Sequence, residues 1–258
     1  MPEVSKIGQS VYCITEKTPE NGGEVNAYLV TGTRKAVLID SLMYDRSLYD
    51  TVKKLTSLPV EVILTHGHLD HAGAGLFEFH EAGVMIYISE KDFIFFRDKS
   101  PHGLKKEYFT PLLDTQIFDL GETHLETIML KGHTPGSCVF LEREKQLLFT
   151  GDSIGAGVFW MQVPFSLPLR EFKKNLLALW DQVKDMHKLM IHPGHRNQSP
   201  IQLYLSFLAD TILTTDKIID GEWIGRDVET ALSETQIIRC KSTSYNLITD
   251  YCYNPENM

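Results

Sequence analysis

The chain is 258 residues long, 43% hydrophobic and 23% charged, with a formal net charge of −9. That length and balance suit one globular domain, or one domain with an extension, with ample chain for a core. The acidic excess argues against a nucleic-acid backbone as partner, since no basic run exceeds pairs such as Lys53-Lys54, Lys105-Lys106 and Lys173-Lys174.

The four cysteines, Cys13, Cys138, Cys240 and Cys252, form no C-x-x-C pair and match neither a disulfide framework nor a zinc ribbon. Reduced thiols in a cytosolic protein are the expectation. Residues 1–10 hold no apolar core of signal-peptide length, and no run reaches the ~18 uncharged apolar residues of a membrane span. A cytoplasmic protein is expected, acting on a small molecule, without membrane or nucleic-acid partners and free to form a homo-oligomer.

In chain order, Val11–Thr15, Val25–Thr31 and Lys35–Asp40 read as strands, with turns at Asn21-Gly22-Gly23 and Thr31-Gly32-Thr33. A helix from about Asp45 to Ser57 places Leu48, Val52 and Leu55 on one face. Val60–Leu64 is a β-branched strand that feeds Thr65-His66-Gly67-His68-Leu69-Asp70-His71, and a helix follows over Ala72–Ala82. Val84–Ile88 reads as a strand, Glu90–Arg97 as a helix, and Lys99–Pro111 as a loop or short helical insertion over the site. Gln116–Leu120 and His124–Leu130 pair about Gly121, leading to the loop Lys131-Gly132-His133-Thr134-Pro135-Gly136-Ser137. Strands Cys138–Leu141 and Leu147–Phe149 come next, the latter ending at Gly151-Asp152-Ser153. Pro168–His187 is an amphipathic helix, and Leu189–Ile191 a strand ending in His192-Pro193-Gly194-His195. Ser199 reads as the cap of a helix to Ile219, and Gln236–Thr249 as one or two strands covering the core. The division expected is a catalytic domain over 1–225 and an extension over 226–258, packed on or beside it.

Four metal-binding side chains fall within six residues at His66, His68, Asp70 and His71. Three imidazoles and a carboxylate this close repel once protonated, and backbone alone cannot satisfy them at a strand end. A divalent cation resolves both difficulties, and His and Asp suit zinc, iron or manganese. An internal echo extends the cluster. Strand-Asp40-Ser41, helix, strand-His66-Gly67-His68 is repeated as strand-Asp152-Ser153, helix, strand-His192-Pro193-Gly194-His195. Two facing β-α-β halves bring their strand ends to one edge, so His66, His68, Asp70, His71, His133, Asp152 and His195 are expected to converge. A metal pair needs about six to eight ligands, with a carboxylate able to bridge ions about 3.5–4 Å apart.

In order and spacing, His66-Gly67-His68-Leu69-Asp70-His71, Gly132-His133-Thr134-Pro135-Gly136-Ser137, Gly151-Asp152-Ser153 and Pro193-Gly194-His195 resemble the motifs of the metallo-β-lactamase-fold hydrolases. Asp40, in Leu38-Ile39-Asp40-Ser41, matches the first motif of that family. The resemblance runs from about Val11 to Leu208 and is specific for fold and metal site, much less so for substrate. It implies an α/β chain folded as a four-layer αββα sandwich with the site at one edge. It further implies a first metal on His66, His68 and His133, a second on Asp70, His71 and His195, and Asp152 as bridge. Zinc is the cation implied first, with iron or manganese as alternatives. A hydroxide bridging the metals would attack a carbonyl, and Asp70 would orient it or shuttle a proton. Asp40 would brace the His-rich loop from behind.

Antibiotic-hydrolysing members carry Cys at the position of Asp152, which argues against a true β-lactamase. The ligand set is similar to that of glyoxalase II enzymes, without a match to their glutathione-binding C-terminal residues. The reading is therefore a dinuclear hydrolase of a small ester, thioester or lactone. A mononuclear iron dioxygenase of persulfide type and a phosphodiesterase or nuclease are the alternatives that the family leaves open. Tyr28, Phe159 and Trp160 are candidates for substrate contact, with core packing an equal reading of the last two. Asn26, like Tyr28, is within reach of the site, with ordinary strand packing the first reading of both, and His102 and Tyr108 are candidates for a lid. His192 reads as a structural strand-end residue, and His80, His124 and His187 as surface.

Overall fold

The computed structural model describes residues 1–18, 23–96, 103–155, 157–199, 201–233, 236–245 and 249–258, with the backbone alone for 230–233, 236–245 and 249. An antiparallel meander opens the fold: β1 (Glu3–Gly8), β2 (Val11–Lys17) and β3 (Glu24–Thr31). β1 adds to the strands expected from the sequence, because Glu3–Lys6 lie exposed at a sheet edge and carry no apolar alternation. In the turn expected at 21–23, positions 21 and 22 lie outside the described residues.

β4 (Ala36–Ile39) leads through α1 (Leu48–Leu55) to β5 (Val60–Ile63), which runs parallel to β4. α1 forms because Leu48 and Val52, one turn apart, both bury their side chains under the sheet. α2 (Leu76–Glu81), β6 (Ile86–Ile88) and the short β7 (Thr110–Pro111) complete a seven-stranded sheet ordered β1 to β7. Glu90–Phe96 is a 3-10 helix where an α-helix was the expectation. Its Asp92 N–H donates three residues back to the Ser89 carbonyl at 2.9 Å, turning the Asp92 carboxylate inward.

The second half contributes β8 (Ile117–Asp119), β9 (His124–Met129), β10 (Cys138–Glu142), β11 (Leu147–Gly151) and β12 (Val158–Met161), then α3 (Leu169–Val183). β13 (Met190–Pro193), β14 (Leu203–Tyr204) and α4 (Leu205–Ile219) follow. The second sheet is six-stranded, ordered β14-β13-β11-β10-β9-β8, and β11 and β13 are parallel. The helix expected from Ser199 starts six residues later. Ser199 Oγ instead donates to the Ile201 carbonyl at 2.8 Å, and Leu203–Tyr204 pairs with β13 before the chain turns helical.

β15 (Arg226–Ser233), β16 (Gln236–Tyr245) and β17 (Thr249–Tyr253) join β12 in a four-stranded sheet ordered β12-β17-β16-β15. The strands β15, β16 and β17 of the expected extension thus share a sheet with the strand that follows the Asp152 loop.

Period-two alternation builds the layers. On β10, Cys138 and Phe140 face the first sheet, whereas Val139 and Leu141 face α3. The layer between the sheets holds Tyr28, Val37, Ile39 and Ile63 from one and Phe118, Leu125, Phe140 and Phe149 from the other. α1 and α2 cover the outer face of the first sheet, and α3 and α4 that of the second. The result is the expected αββα sandwich, and its two parallel β-α-β units, β4-α1-β5 and β11-α3-β13, are the two halves of the sequence echo. No helix among the described residues is long and apolar enough to cross a membrane.

Candidate metal centre

The candidate donors sit in loops beyond the carboxyl ends of β5, β9, β11 and β13, the edge at which an open α/β arrangement presents its reactive groups. The His-rich loop folds onto itself, with the N–H groups of His71 and Ala72 both donating to the His68 carbonyl, at 3.0 and 2.8 Å. The Thr65 carbonyl accepts from Cys138 N at 2.9 Å, which ties the loop to the second sheet. The turn bearing His195 is clamped from both sides. Gly194 N donates to the Gly151 carbonyl at 2.9 Å, and Asn26 N donates to the Gly194 carbonyl at 2.8 Å.

All seven donors expected from the sequence come together, in two groups. One holds His66, His68 and His133, the other Asp70, His71, Asp152 and His195, and within each the ligand atoms lie within 4.8 Å of one another. Asp152 stands between them: its Oδ1 is 3.2 Å from His71 Nε2, and its Oδ2 is 3.4 Å from His195 Nε2 and 3.8 Å from His133 Nε2. Asp70 Oδ2 lies 3.3 Å from His195 Nε2 on the open side.

Four imidazoles turn their outer Nδ1 to a protein oxygen. His71 Nδ1 donates to Asp40 Oδ2 at 2.9 Å, His133 Nδ1 to the Trp160 carbonyl at 2.7 Å, and His195 Nδ1 to the Glu24 carbonyl at 2.7 Å. His66 Nδ1 meets Thr65 Oγ1 at 3.0 Å, and that hydroxyl donates on to Asp40 Oδ2 at 2.8 Å. When the ring is neutral, this leaves the lone pair on the inner Nε2, the arrangement that metal-binding histidines require. His68 is the exception, facing His133 Nε2 through Nδ1 at 2.9 Å.

Burial, reinforced by the neighbouring imidazoles, holds His66 well below the usual imidazole pKa. Burial and the nearby His133 bring His68 down to about 3, and burial lowers His133 as well. These rings are neutral at pH 7, the form that binds a cation. In the second group burial also works against charge, yet the carboxylates of Asp152 and Asp70 outweigh it, raising His71 well above its usual value and His195 to about 10. Against the same desolvation, His71 and His195 hold Asp70 and Asp152 below the usual carboxylate range.

The residues fit a metal pair. The buried Nε2 of His66 and of His71 and the Oδ1 of Asp152 make no hydrogen bond, although polar atoms buried this deeply are normally satisfied. Imidazole nitrogens and carboxylate oxygens are the donors of zinc, iron and manganese sites.

Asp40, Asn26 and Tyr28 support the cluster from behind. Tyr28 is a correction to the candidate substrate contacts: only 2% exposed, it donates from its hydroxyl to the Pro193 carbonyl at 2.6 Å and props the His195 turn. Asn26 Oδ1 accepts from Arg196 N at 2.7 Å. Phe159 is a second correction. The β12 alternation turns it into the outer core, fully buried between Phe172 and Tyr251, whereas its neighbour Trp160 lines the cleft. Tyr108 stacks on His80 at 3.9 Å, away from the cleft, and His102 lies outside the described residues. His192 is buried against Phe149 behind the site, and His124 and His187 are exposed.

Asp92 escapes sequence reasoning. Its fully buried carboxylate accepts from Gly67 N at 2.8 Å, Thr134 Oγ1 at 2.7 Å and Gly136 N at 2.7 Å, joining the two loops that carry the first group. Its partners are 25 to 44 residues away, so no local pattern marks it.

A family model described as the metallo-beta-lactamase superfamily matches residues 21–195. The chain belongs to that superfamily. Chicken acyl-coenzyme A thioesterase MBLAC2 is 26% identical over 223 residues, covering 74% of this chain and 79% of the relative. The hydroxyacylglutathione hydrolase GloC of Haemophilus influenzae is 30% identical over 154 residues, 55% of this chain and 72% of its own length. The solved metallo-beta-lactamase from Pontibacter korlensis superposes with a TM-score of 0.68 at 20% identity, over 84% of this chain and 99% of that one, and so shares the fold. The chain is a metallo-hydrolase of this superfamily, with two candidate His/Asp metal sites.

Proposed function

We propose that the protein hydrolyses thioesters at a dinuclear zinc centre. The observation that carries this reading is the inward convergence of seven donor residues, with outer ring nitrogens anchored on protein oxygens. Named activities of the relatives point the same way, since both the thioesterase and the glutathione hydrolase cleave an acyl–sulfur bond.

His66, His68 and His133 would hold one cation and Asp70, His71 and His195 the other, with Asp152 serving both. A bound divalent pair polarises a carbonyl oxygen and lowers the pKa of coordinated water toward about 7. The chain's own residues supply the rest. Asp70, with 27% of its side chain exposed, is the carboxylate that faces the cleft, where it orients the attacking water and takes up its proton. Asp40 and the carbonyls of Trp160 and Glu24 hold the imidazoles in one tautomer and one orientation.

The test is turnover of a panel of acyl thioesters, esters and lactones by the zinc-loaded chain. Thioester cleavage should dominate, and Asp152→Ala should lower it by more than about 100-fold while the chain stays folded. Oxygen uptake on persulfides by an iron-loaded chain, with no thioester cleavage, would overturn the reading.

A further inference from the structure

Beside the metal centre lies a cleft of about 760 Å³. Its lining joins five of the donors, His68, Asp70, His133, Asp152 and His195, to an apolar wall of Leu69, Phe95, Trp160, Val163 and Phe165. The wall is continuous with the centre. The Phe95 ring meets His68 edge-on at 4.9 Å and 73°, and Phe165 meets Phe95 at 5.7 Å and 84°. An aromatic ladder thus runs outward from a candidate ligand.

Its last rung is held at a conformational cost. Phe165 has φ +72°, the left-handed region that a bulky side chain avoids, and 52% of it is exposed. Backbone of this kind persists only where its surroundings over-determine it, and such positions concentrate at ligand clamps. Here the surroundings do so. Ser166 N donates to the Val163 carbonyl at 3.1 Å, Ser166 Oγ to the His133 carbonyl at 3.0 Å, and Leu167 N to the Gly132 carbonyl at 2.8 Å. From the C-terminus, Asn257 Nδ2 donates to the Ser166 carbonyl at 2.9 Å. The loop that presents Phe165 is therefore bolted to the His133 loop itself.

Among the described residues no Lys or Arg lines this cleft. Away from the donors a charged acyl tail meets no basic side chain, and an apolar one finds aromatic surface that is otherwise left in water.

We infer that Phe95, Trp160 and Phe165 form the acyl subsite, and that the substrate's acyl group is an apolar chain long enough to run from His68 past Phe95 to Phe165. This rests on the thioesterase reading above and extends it by naming the acyl class. Phe165 is a specificity-determining residue that closes the outer end of the subsite.

The experiment uses the full zinc-loaded chain and acetyl, butyryl, hexanoyl and octanoyl thioesters of one thiol. The expected kcat/KM climbs about three- to fourfold per added methylene as each is drawn from water onto the wall. In Phe165→Ala the octanoyl-to-acetyl ratio of kcat/KM should fall about tenfold, and Phe165→Leu should restore most of it. Ile201→Ala removes an exposed apolar side chain outside the cleft and should leave the ratio as it is. A flat series, or an octanoyl-to-acetyl ratio that Phe165→Ala leaves unchanged, overturns the subsite.

A second measurement needs no turnover. Octanoate added to metal-free protein should change the fluorescence of Trp160, with acetate inert and Phe165→Ala weakening the effect. Cleavage of no thioester in the series would overturn the thioesterase reading, and this titration would still decide the subsite: octanoate without effect sinks it.

Discussion

The carboxylate of Asp40 accepts a hydrogen bond from His71 Nδ1 at 2.9 Å, from a backbone held at φ +61° at the end of β4. It also receives Thr65 N at 2.7 Å and Thr65 Oγ1 at 2.8 Å, and Thr65 Oγ1 in turn meets His66. One buried residue therefore orients a donor of each metal group.

Asp40→Ala should weaken both sites together. Losing three hydrogen bonds in a buried site costs about 2–5 kcal/mol, and zinc affinity should drop about 10- to 100-fold. Competition with a chromogenic chelator reads the affinity, and urea unfolding of the metal-free chain reads the stability. Asp40→Asn should keep much of the stability, since one oxygen still accepts from Thr65 N, yet lose affinity because its amide cannot accept from His71.

Asp92 makes a pH-dependent contribution. Burial raises its carboxyl from the ordinary 3.8 to about 6, against the hydrogen bonds from Thr134, Gly67 and Gly136 that pull it down. With the folded pKa above the unfolded one, the fold favours the neutral acid. The stability it adds is complete below about pH 4 and is lost as pH rises through about 6. Asp92→Asn removes the titration. The stability cost of that variant in denaturant unfolding should therefore be about 1 kcal/mol larger at pH 5 than at pH 7.5. A cost that grows with pH would show the three donors winning over burial.

Gly194 sits where no side chain fits. A Cβ there would be driven into the His71 ring and the Asp152 carboxylate, and the hydrogen bonds from Gly194 N to Gly151 and from Asn26 N to Gly194 prevent retreat. Gly194→Ala should lower stability by about 1–3 kcal/mol. Its melting temperature should also rise less with zinc than that of the native chain, because the displaced residues belong to the second group. An undiminished zinc-dependent rise would mean that the turn relaxes without disturbing His71.

Much of the site is legible in the sequence because strand ends announce it. β-Branched Val60, Val62 and Ile63 mark the strand before the His-rich loop, and the Asp40 and Asp152 echo anticipates two parallel pairs meeting at one edge. What the sequence hides is set by distant partners. β1 shows its polar residues to solvent at an edge; Asp92 draws its donors from two separate loops; β12 finds its neighbour β17 about ninety residues later. Tyr28 and Phe159 have the residue types of substrate contacts, and only the pleat decides that they face inward. The late start of α4 has the same origin, since Leu203–Tyr204 is claimed by a strand partner before its helical periodicity can act.

Metal content tests the centre most directly. The chain is purified without chelator and its metal-to-protein ratio is measured by plasma mass spectrometry, beside Asp152→Ala prepared identically. The proposed dinuclear centre, with Asp152 serving both donor groups, predicts about two equivalents of zinc in the native chain and a loss of at least one in the variant. One equivalent in both proteins would contradict a shared dinuclear centre.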